Sequence, residues 1–115
     1  MIVELRGLEV FGYHGVEEEE RRLGQPFLFD VELEVGDRGA SDRLGDAVDY
    51  TRVARAIREL SGEQRFDLLE ALATQTADLL MERFSPQSLR LRVRKPQVRP
   101  AGLTVEYSAV TVVRP

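Results

Sequence analysis

The sequence predicts an α+β sandwich in which two helices cover one face of a four-stranded antiparallel sheet. Segments of alternating apolar and polar residues lie toward both ends of the chain, and two helical segments lie between them. The 115 residues suffice for one domain, residues 1–115, with its own core. The predicted order is ββααββ. Because helices cover only one face, the other face and both sheet edges stay open.

In the first strand, the alternation of apolar and polar residues changes phase in the middle. Val3 and Leu5 share one parity, whereas Leu8 and Val10 share the other, with Gly7 between them. A bulge at the glycine would reset the phase and keep all four apolar residues on the core side.

The second strand is the most regular segment of the chain. From Phe27 to Val35 apolar residues alternate with acidic ones, which predicts a half-buried strand. The segment that links it to the first strand, Gly12 to Gln25, is polar and bounded by glycine. Its acidic run, Glu17 to Glu20, would normally be a solvated surface.

Two helices follow an exposed loop at Asp37 to Asp46. Asp49 can cap the first helix, which ends near Ser61-Gly62. Asp67 and Glu70 have the spacing of a capping box and would open the second helix, which runs through Leu80.

Two further strands complete the sheet after Pro86 stops the second helix. Leu89 to Arg94 alternates leucine or valine with arginine, and Leu103 to Val113 is rich in Val, Thr and Tyr. If the second and third strands are neighbours, acidic and basic residues pair across the open face. The residues concerned are Asp30, Glu32, Glu34, Arg90, Arg92 and Arg94.

Composition excludes several classes of function. The chain has no cysteine and one histidine, which argues against a metal site, and its net charge of −4 disfavours nucleic-acid binding. No apolar run approaches the roughly 18 residues of a membrane span, and Met1 to Arg6 lacks a signal-peptide core, so we expect a cytoplasmic protein. No phosphate loop, dinucleotide motif or Ser/His/Asp pattern is present, and no cofactor is expected.

Lys95 is the best candidate for chemistry because it is the only lysine among sixteen basic residues. A sheltered lysine can exchange a proton, whereas arginine is effectively always charged. Lys95 continues the inward parity of Leu89, Leu91 and Val93, and Pro96 favours extended geometry. The alternative is a strand-end lysine that reaches out to water.

Three other residues have structural and functional interpretations. Glu70 is either the partner of the Asp67 cap or a carboxylate that binds the paired donors of an N–C–N edge. Tyr50, in the first turn of its helix, is either a packing aromatic or a proton-transfer group. His14, flanked by Gly12-Tyr13 and Gly15, is either a turn residue, which is the commoner case, or a base.

These landmarks together resemble the dihydroneopterin aldolase family, along nearly the whole chain. Those that carry the resemblance are Leu8, Phe11-Gly12-Tyr13-His14-Gly15, Glu20 before Gly24-Gln25, Phe27 with Asp30-Val31, Val48-Asp49-Tyr50, Leu68-Leu69-Glu70-Ala71-Leu72-Ala73 and Val93-Arg94-Lys95-Pro96.

The resemblance implies a tunnelling fold, in which subunits join edge to edge into a ring of four and two rings can stack into an octamer. It also implies a metal-free retro-aldol reaction that converts 7,8-dihydroneopterin into 6-hydroxymethyl-7,8-dihydropterin and glycolaldehyde. By resemblance, Glu70 and the Leu69 backbone bind the pterin ring, and Glu20 helps to place the trihydroxypropyl chain of the substrate. Lys95 would manage protons near N5 and the side-chain hydroxyl through water, and Tyr50 of a neighbouring subunit would move a proton on the enol intermediate.

The segment after Lys95 departs from the family pattern, since Pro96 to Gly102 replaces a Pro-Gly-Ala-Pro-like sequence. Arg99 in this segment could favour a phosphorylated substrate. The related epimerase, acting on dihydroneopterin or its triphosphate, is therefore an alternative. A non-catalytic oligomeric module that binds RNA or phosphates along Arg90, Arg92 and Arg94 is an alternative of another class.

Overall fold

The computed structural model describes every residue from Met1 to Pro115 and contains one four-stranded antiparallel sheet with its strands in chain order. The strands are β1 (Ile2–Gly12), β2 (Gln25–Glu34), β3 (Ser88–Lys95) and β4 (Ser108–Arg114). The helices are α1 (Glu18–Leu23), α2 (Tyr50–Glu63) and α3 (Leu69–Phe84). The α+β class and the ββααββ order of the long elements are confirmed.

The core lies between the sheet and the two long helices. Helix α2 packs against β1, and α3 packs against β3 and β4, so each helix covers one half of the same face. The apolar residues predicted to share one face of the second strand are all buried, which fixes the register of β2. They are Phe27, Phe29, Val31, Leu33 and Val35.

The predicted bulge in β1 is confirmed. The register with β2 shifts between Leu5 and Leu8, and Gly7 adopts a φ of 68° that a side chain would disfavour. The Gly7 N–H turns away from the strand ladder and donates to Asp30 Oδ1 at 2.7 Å. The bulge therefore links the edge strand to a charged group on the open face of the sheet.

That open face carries the predicted charge pairs. Asp30 accepts from Arg92 at 3.0 Å and from Arg94 at 2.9 Å, and the Arg90 guanidinium lies 3.9 Å from the Glu32 carboxylate. Glu34 is the exception, because Ser88 stands opposite it in β3. All three arginines of β3 thus have a carboxylate partner within the chain.

The structure adds one helix that the sequence pattern did not predict and shortens one predicted strand. The segment from Gly12 to Gln25 contains helix α1, and β4 begins at Ser108 instead of Leu103. Ser108 pairs with Lys95, the last residue of β3, and Pro96 follows. Residues before Ser108 therefore have no strand to pair with. The loop after β2 is confirmed and contains only one short 3₁₀ turn, Leu44–Asp46.

No helix is both long and apolar enough to span a membrane. No group of three or more His, Cys, Asp or Glu side chains is placed to hold a metal ion.

Candidate active site

A cavity of about 500 Å³ opens at the end of the sheet where β3 ends and β4 begins. The β1–α1 connection and α1 form one wall, and the start of α3 forms another. The segment after β3 forms the rim. The lining residues are Val16, Glu17, Glu20, Asp67, Leu68, Leu69, Lys95, Gln97, Val98, Arg99, Pro100 and Ser108.

Glu20 and Lys95 form an ion pair in this cavity, although 74 residues lie between them in the chain. The Lys95 ammonium contacts Glu20 Oε2, and the side chain of Gln25 donates to the same oxygen at 3.0 Å. Glu20 Oε1 accepts from the Glu17 N–H at 3.2 Å. Both carboxylate oxygens are therefore held in place, and Lys95 is sheltered as the sequence predicts, with 18% of its side chain exposed.

The carboxylate of Glu20 is held in its charged form. Burial alone would raise its pKa, but hydrogen bonds from Lys95, Gln25 and the Glu17 N–H outweigh burial and lower the pKa below its ordinary value. The cavity thus presents an ionised carboxylate and an ammonium group side by side, a pair that can accept and donate hydrogen bonds to a polyhydroxylated ligand.

Helix α1 explains how Glu20 reaches the cavity. Glu17 is the N-cap residue and Glu20 the third helical residue, whose side chain reaches back to the N-cap N–H as in a capping box. The helix ends at Gly24, which has a φ of 72° and on which a Cβ would come within 2.4 Å of the Phe11 ring. The glycine lets the chain turn directly into β2 at Gln25.

The capping box predicted at Asp67 is wrong. The N-cap of α3 is Leu68, whose carbonyl accepts from Ala71 and Leu72, and the Asp67 side chain caps nothing. Glu70 is therefore exposed on the first turn of α3 without a hydrogen-bond partner in the chain. The structural explanation for Glu70 fails, and its carboxylate is free to bind a ligand at a helix N-terminus.

Leu69 lines the cavity, and Glu70 follows it on the first turn of α3. The structure therefore brings Glu20, Leu69 and Lys95 together in one cavity, whereas Glu70, the residue after Leu69, is not among the lining residues. It does not bring in Tyr50.

Tyr50 is the first residue of α2 and is 60% exposed. Ser61, eleven positions later, lies beside the Phe11 carbonyl at the cavity end of β1. A helical rise of about 1.5 Å per residue puts Tyr50 roughly 16 Å further along the helix axis. Tyr50 is therefore not among the residues that line this cavity.

Sequence reasoning did not identify the roles of two polar residues that shape this region. Gln25 is 7% exposed and orients Glu20, and His14 is 2% exposed and fully hydrogen-bonded. The parity of β2 could have revealed Gln25, because it continues the inward series of Phe27 and Phe29 toward the start of the strand.

The family model described as FolB, dihydroneopterin aldolase, matches residues 3–113. A dihydroneopterin aldolase from Streptococcus pyogenes serotype M18 is 36% identical over 113 residues, which cover 96% of this chain and 92% of the relative. Dihydroneopterin aldolase 1 from Arabidopsis thaliana is 34% identical, over 96% of this chain and 77% of the relative.

Among solved structures, the dihydroneopterin aldolase of E. coli in complex with neopterin superimposes with a TM-score of 0.90 and 28% identity. The match covers 100% of this chain and 99% of that chain. The similarity therefore includes every element that builds the Glu20–Lys95 cavity.

Proposed function

The chain belongs to the dihydroneopterin aldolase family, and we propose that the Glu20–Lys95 cavity is where it performs the reaction of that family. The reaction cleaves 7,8-dihydroneopterin into 6-hydroxymethyl-7,8-dihydropterin and glycolaldehyde. The main support for assigning the reaction to this cavity is the sheltered ion pair, which combines the only lysine of the chain with an oriented, ionised carboxylate.

The reaction needs proton transfers at three atoms of the substrate: the 2′-hydroxyl oxygen, N5 and C1′. The proton leaves the 2′-hydroxyl, C2′ becomes the carbonyl carbon of glycolaldehyde, and the C1′–C2′ bond breaks. Its electron pair moves into the C6=N5 imine, so that C1′=C6 forms and N5 takes up a proton. Protonation at C1′ with loss of the N5 proton then gives the hydroxymethyl product. The pterin ring is the electron acceptor throughout.

Glu20 and Lys95 suit the substrate side chain in this scheme. Glu20, held by Gln25 and Glu17, would accept hydrogen bonds from the substrate hydroxyls. Lys95 would move protons, through water, between the 2′-hydroxyl and N5. Since the ammonium already contacts the carboxylate, a bound hydroxyl would enter a charge-assisted hydrogen-bond network that is already organised.

The start of α3 suits the pterin ring. Glu70 has no partner in the chain, and its carboxylate can accept from both N3–H and the 2-amino group. The Leu69 backbone, in the cavity wall, would add a further hydrogen bond.

Tyr50 would take part in the reaction through the assembly of several copies of the chain. The β1 and β4 edges are both unpaired within the chain, and the edge of one subunit can pair with the edge of the next. We expect a ring of four or a stacked octamer, in which Tyr50 of one subunit reaches the cavity of its neighbour and moves the proton at C1′. A cytoplasmic location is part of this proposal.

A phosphorylated substrate is the weaker candidate, even though Arg99 lines the rim. Three carboxylates, Glu17, Glu20 and Asp67, line the same cavity as the two cations Lys95 and Arg99. Because the carboxylates outnumber the cations, the cavity repels a triphosphate. The uncharged side chain of dihydroneopterin is therefore favoured. The phosphate- or RNA-binding module is disfavoured because its arginines already pair with Asp30 and Glu32.

The test is to incubate the protein with 7,8-dihydroneopterin and to resolve the pterin products by chromatography. The proposal predicts 6-hydroxymethyl-7,8-dihydropterin and an equal amount of glycolaldehyde, both abolished in Lys95→Ala. A single product with an inverted side-chain carbon would identify an epimerase, and product formation in Lys95→Ala at the unaltered rate would refute the assignment of the cavity.

A further inference from the structure

His14, the only histidine of the chain, lies just before the first residue of the cavity lining, Val16. We propose that its neutral ring is a positioning element that ties together the two walls of the Glu20–Lys95 cavity, and so fixes where α3 begins. The hydrogen bonds of the His14 ring to Phe66 and Ser61 are called the tie below. The consequence for catalysis rests on the function proposed above, whereas the existence of the tie does not.

The ring has a partner at each nitrogen. Nδ1 lies 3.1 Å from the Phe66 backbone N–H, and Nε2 lies 2.9 Å from the Ser61 hydroxyl. The ring also packs against Phe27 and Phe66, with centroids 5.2 and 5.5 Å away. With 2% of the residue exposed, water cannot replace either partner without opening the site.

The partners define which nitrogen carries the proton. A backbone N–H can only donate, so Nδ1 must be the acceptor and Nε2 must carry the hydrogen. Nε2–H then donates to Ser61, whose hydroxyl lies 3.5 Å from the Phe11 carbonyl. Protonation of Nδ1 would set two donors against each other, so the arrangement requires a neutral ring.

The tie joins the chain segments that lead into opposite walls. Gly15 donates its N–H to the Phe66 carbonyl at 2.9 Å, so both polar groups of Phe66 are held by residues 14 and 15. Val16 follows directly on one side, and Asp67, Leu68 and Leu69 follow on the other, all of them in the cavity lining.

The tie also explains why α3 begins late. Because Phe66 is fixed against the β1–α1 connection, Leu68 remains extended, with φ −112° and ψ 141°, and becomes the N-cap. Leu69 and Glu70 thereby occupy the first turn. Release of Phe66 would let this turn fray or shift, and would move the proposed pterin-binding carboxylate.

Two substitutions separate the bonds of the ring. The oxygen of Asn can take the place of Nδ1, and the amide of Gln can take the place of Nε2. His14→Asn should therefore keep the bond to Phe66 and lose the one to Ser61, whereas His14→Gln should do the reverse. Ser61→Ala is the matched control, because it removes the Ser61 bond and leaves the ring in place.

Hydrogen exchange of the free protein tests the tie without substrate. We expect His14→Gln to speed exchange at Phe66, Ala71 and Leu72 by about ten-fold, the usual effect of losing one buried hydrogen bond. His14→Asn and Ser61→Ala should leave these amides within about two-fold of the unaltered protein. Equal exchange in all the variants would overturn the proposal.

Steady-state kinetics test the consequence. His14→Gln should raise KM for 7,8-dihydroneopterin by about ten-fold or more with a smaller change in kcat, and Ser61→Ala should change neither, even where it lowers Tm. If KM follows Tm across the variants, His14 is merely structural. If His14→Gln does not fold, His14→Phe takes its place, because it keeps a ring but loses the bonds to both Phe66 and Ser61. Faster exchange at Phe66 in His14→Phe than in Ser61→Ala is then expected, and equal exchange in these two variants would overturn the proposal.

An absence of aldolase activity in the unaltered protein, with the exchange pattern as expected, would refute the proposed function and leave the tie standing. The two failures are therefore distinguishable.

Discussion

Asp30→Asn removes the one buried carboxylate of the open sheet face. Asp30 is 7% exposed and accepts from Gly7, Arg92 and Arg94 at 2.7 to 3.1 Å. Burial alone would raise its pKa, but the Gly7 N–H and the two guanidinium groups outweigh burial and lower it. The amide keeps the shape but loses the charge, and its NH₂ group meets a guanidinium donor.

The size of the effect follows from the exposure of the partners. Removing one partner of a fully buried ion pair costs about 3–5 kcal/mol. The arginine side chains are 28% and 20% exposed, so water partly compensates them. We expect a loss of about 2–3 kcal/mol in the free energy of unfolding. For 115 residues this lowers Tm by about 4 °C per kcal/mol, hence by about 8–12 °C.

Glu32→Gln is the matched control on the same strand and face. Its carboxylate lies 3.9 Å from Arg90, with 33% and 55% of the two side chains exposed, so the loss should stay below about 0.5 kcal/mol. Urea denaturation followed by circular dichroism, at one protein concentration, compares the two variants. Equal midpoints for Asp30→Asn and Glu32→Gln would refute the reasoning.

Four further outcomes are expected. Lys95→Arg should lower kcat by about 10²- to 10⁴-fold with little change in pterin Kd, because arginine cannot release a proton; turnover within a few-fold of the unaltered enzyme would leave Lys95 as an electrostatic anchor. Glu70→Gln should weaken pterin Kd with Tm unchanged, since Glu70 caps nothing, and the reverse pattern in fluorescence titration and melting would reassign it. Light scattering should show a tetramer or octamer, and Tyr50→Phe protein mixed with Lys95→Ala protein should regain activity as subunits exchange; a fully active monomer would exclude a shared site. Burial lowers the pKa of His14 from 6.5 to about 4, so the unfolded state binds the proton first and the free energy of unfolding should fall by up to about 3 kcal/mol as pH drops from 7 to 4; an equal pH dependence in His14→Asn, measured by urea midpoints, would contradict this.

The sequence was most informative where one physical pattern determines structure. Alternation along β2 predicted its buried face, and the charges of its other face predicted the β3 pairing in which Asp30 stands opposite Arg92 and Glu32 opposite Arg90. Gly7 predicted the bulge because the parity of the apolar residues changes at the same point where a glycine allows a positive φ.

Prediction failed where local rules compete with tertiary contacts. Helix α1 has six residues and no apolar face, so it leaves no periodic signal, and glutamate is an uncommon N-cap. The Asp67 capping box satisfied a local rule, but hydrogen bonds between Phe66 and residues 14 and 15 placed the helix start later. A bond across 52 positions cannot be derived from local spacing.

Only part of the candidate site could be predicted from the residues themselves, because its members come from distant parts of the chain. Lys95 stood out by composition, and Glu70 and Tyr50 by position. Leu69 and Glu20 came from family resemblance alone, and the run of four glutamates that contains Glu20 looks like a solvated surface.

Strand β3 shows why a lysine is placed among so many arginines. Its open face carries Arg90, Arg92 and Arg94, each paired with a carboxylate of β2, and two of them share Asp30. The planar guanidinium suits such fixed pairs because it stays charged and offers several donors. At the end of the same strand, Lys95 lies in the cavity beside Glu20. In the proposed function, Lys95 would pass protons to and from the substrate, a role for which the permanently charged arginines of β3 are unsuited. The same strand therefore holds the sheet together through one face and presents its only exchangeable cation at the cavity.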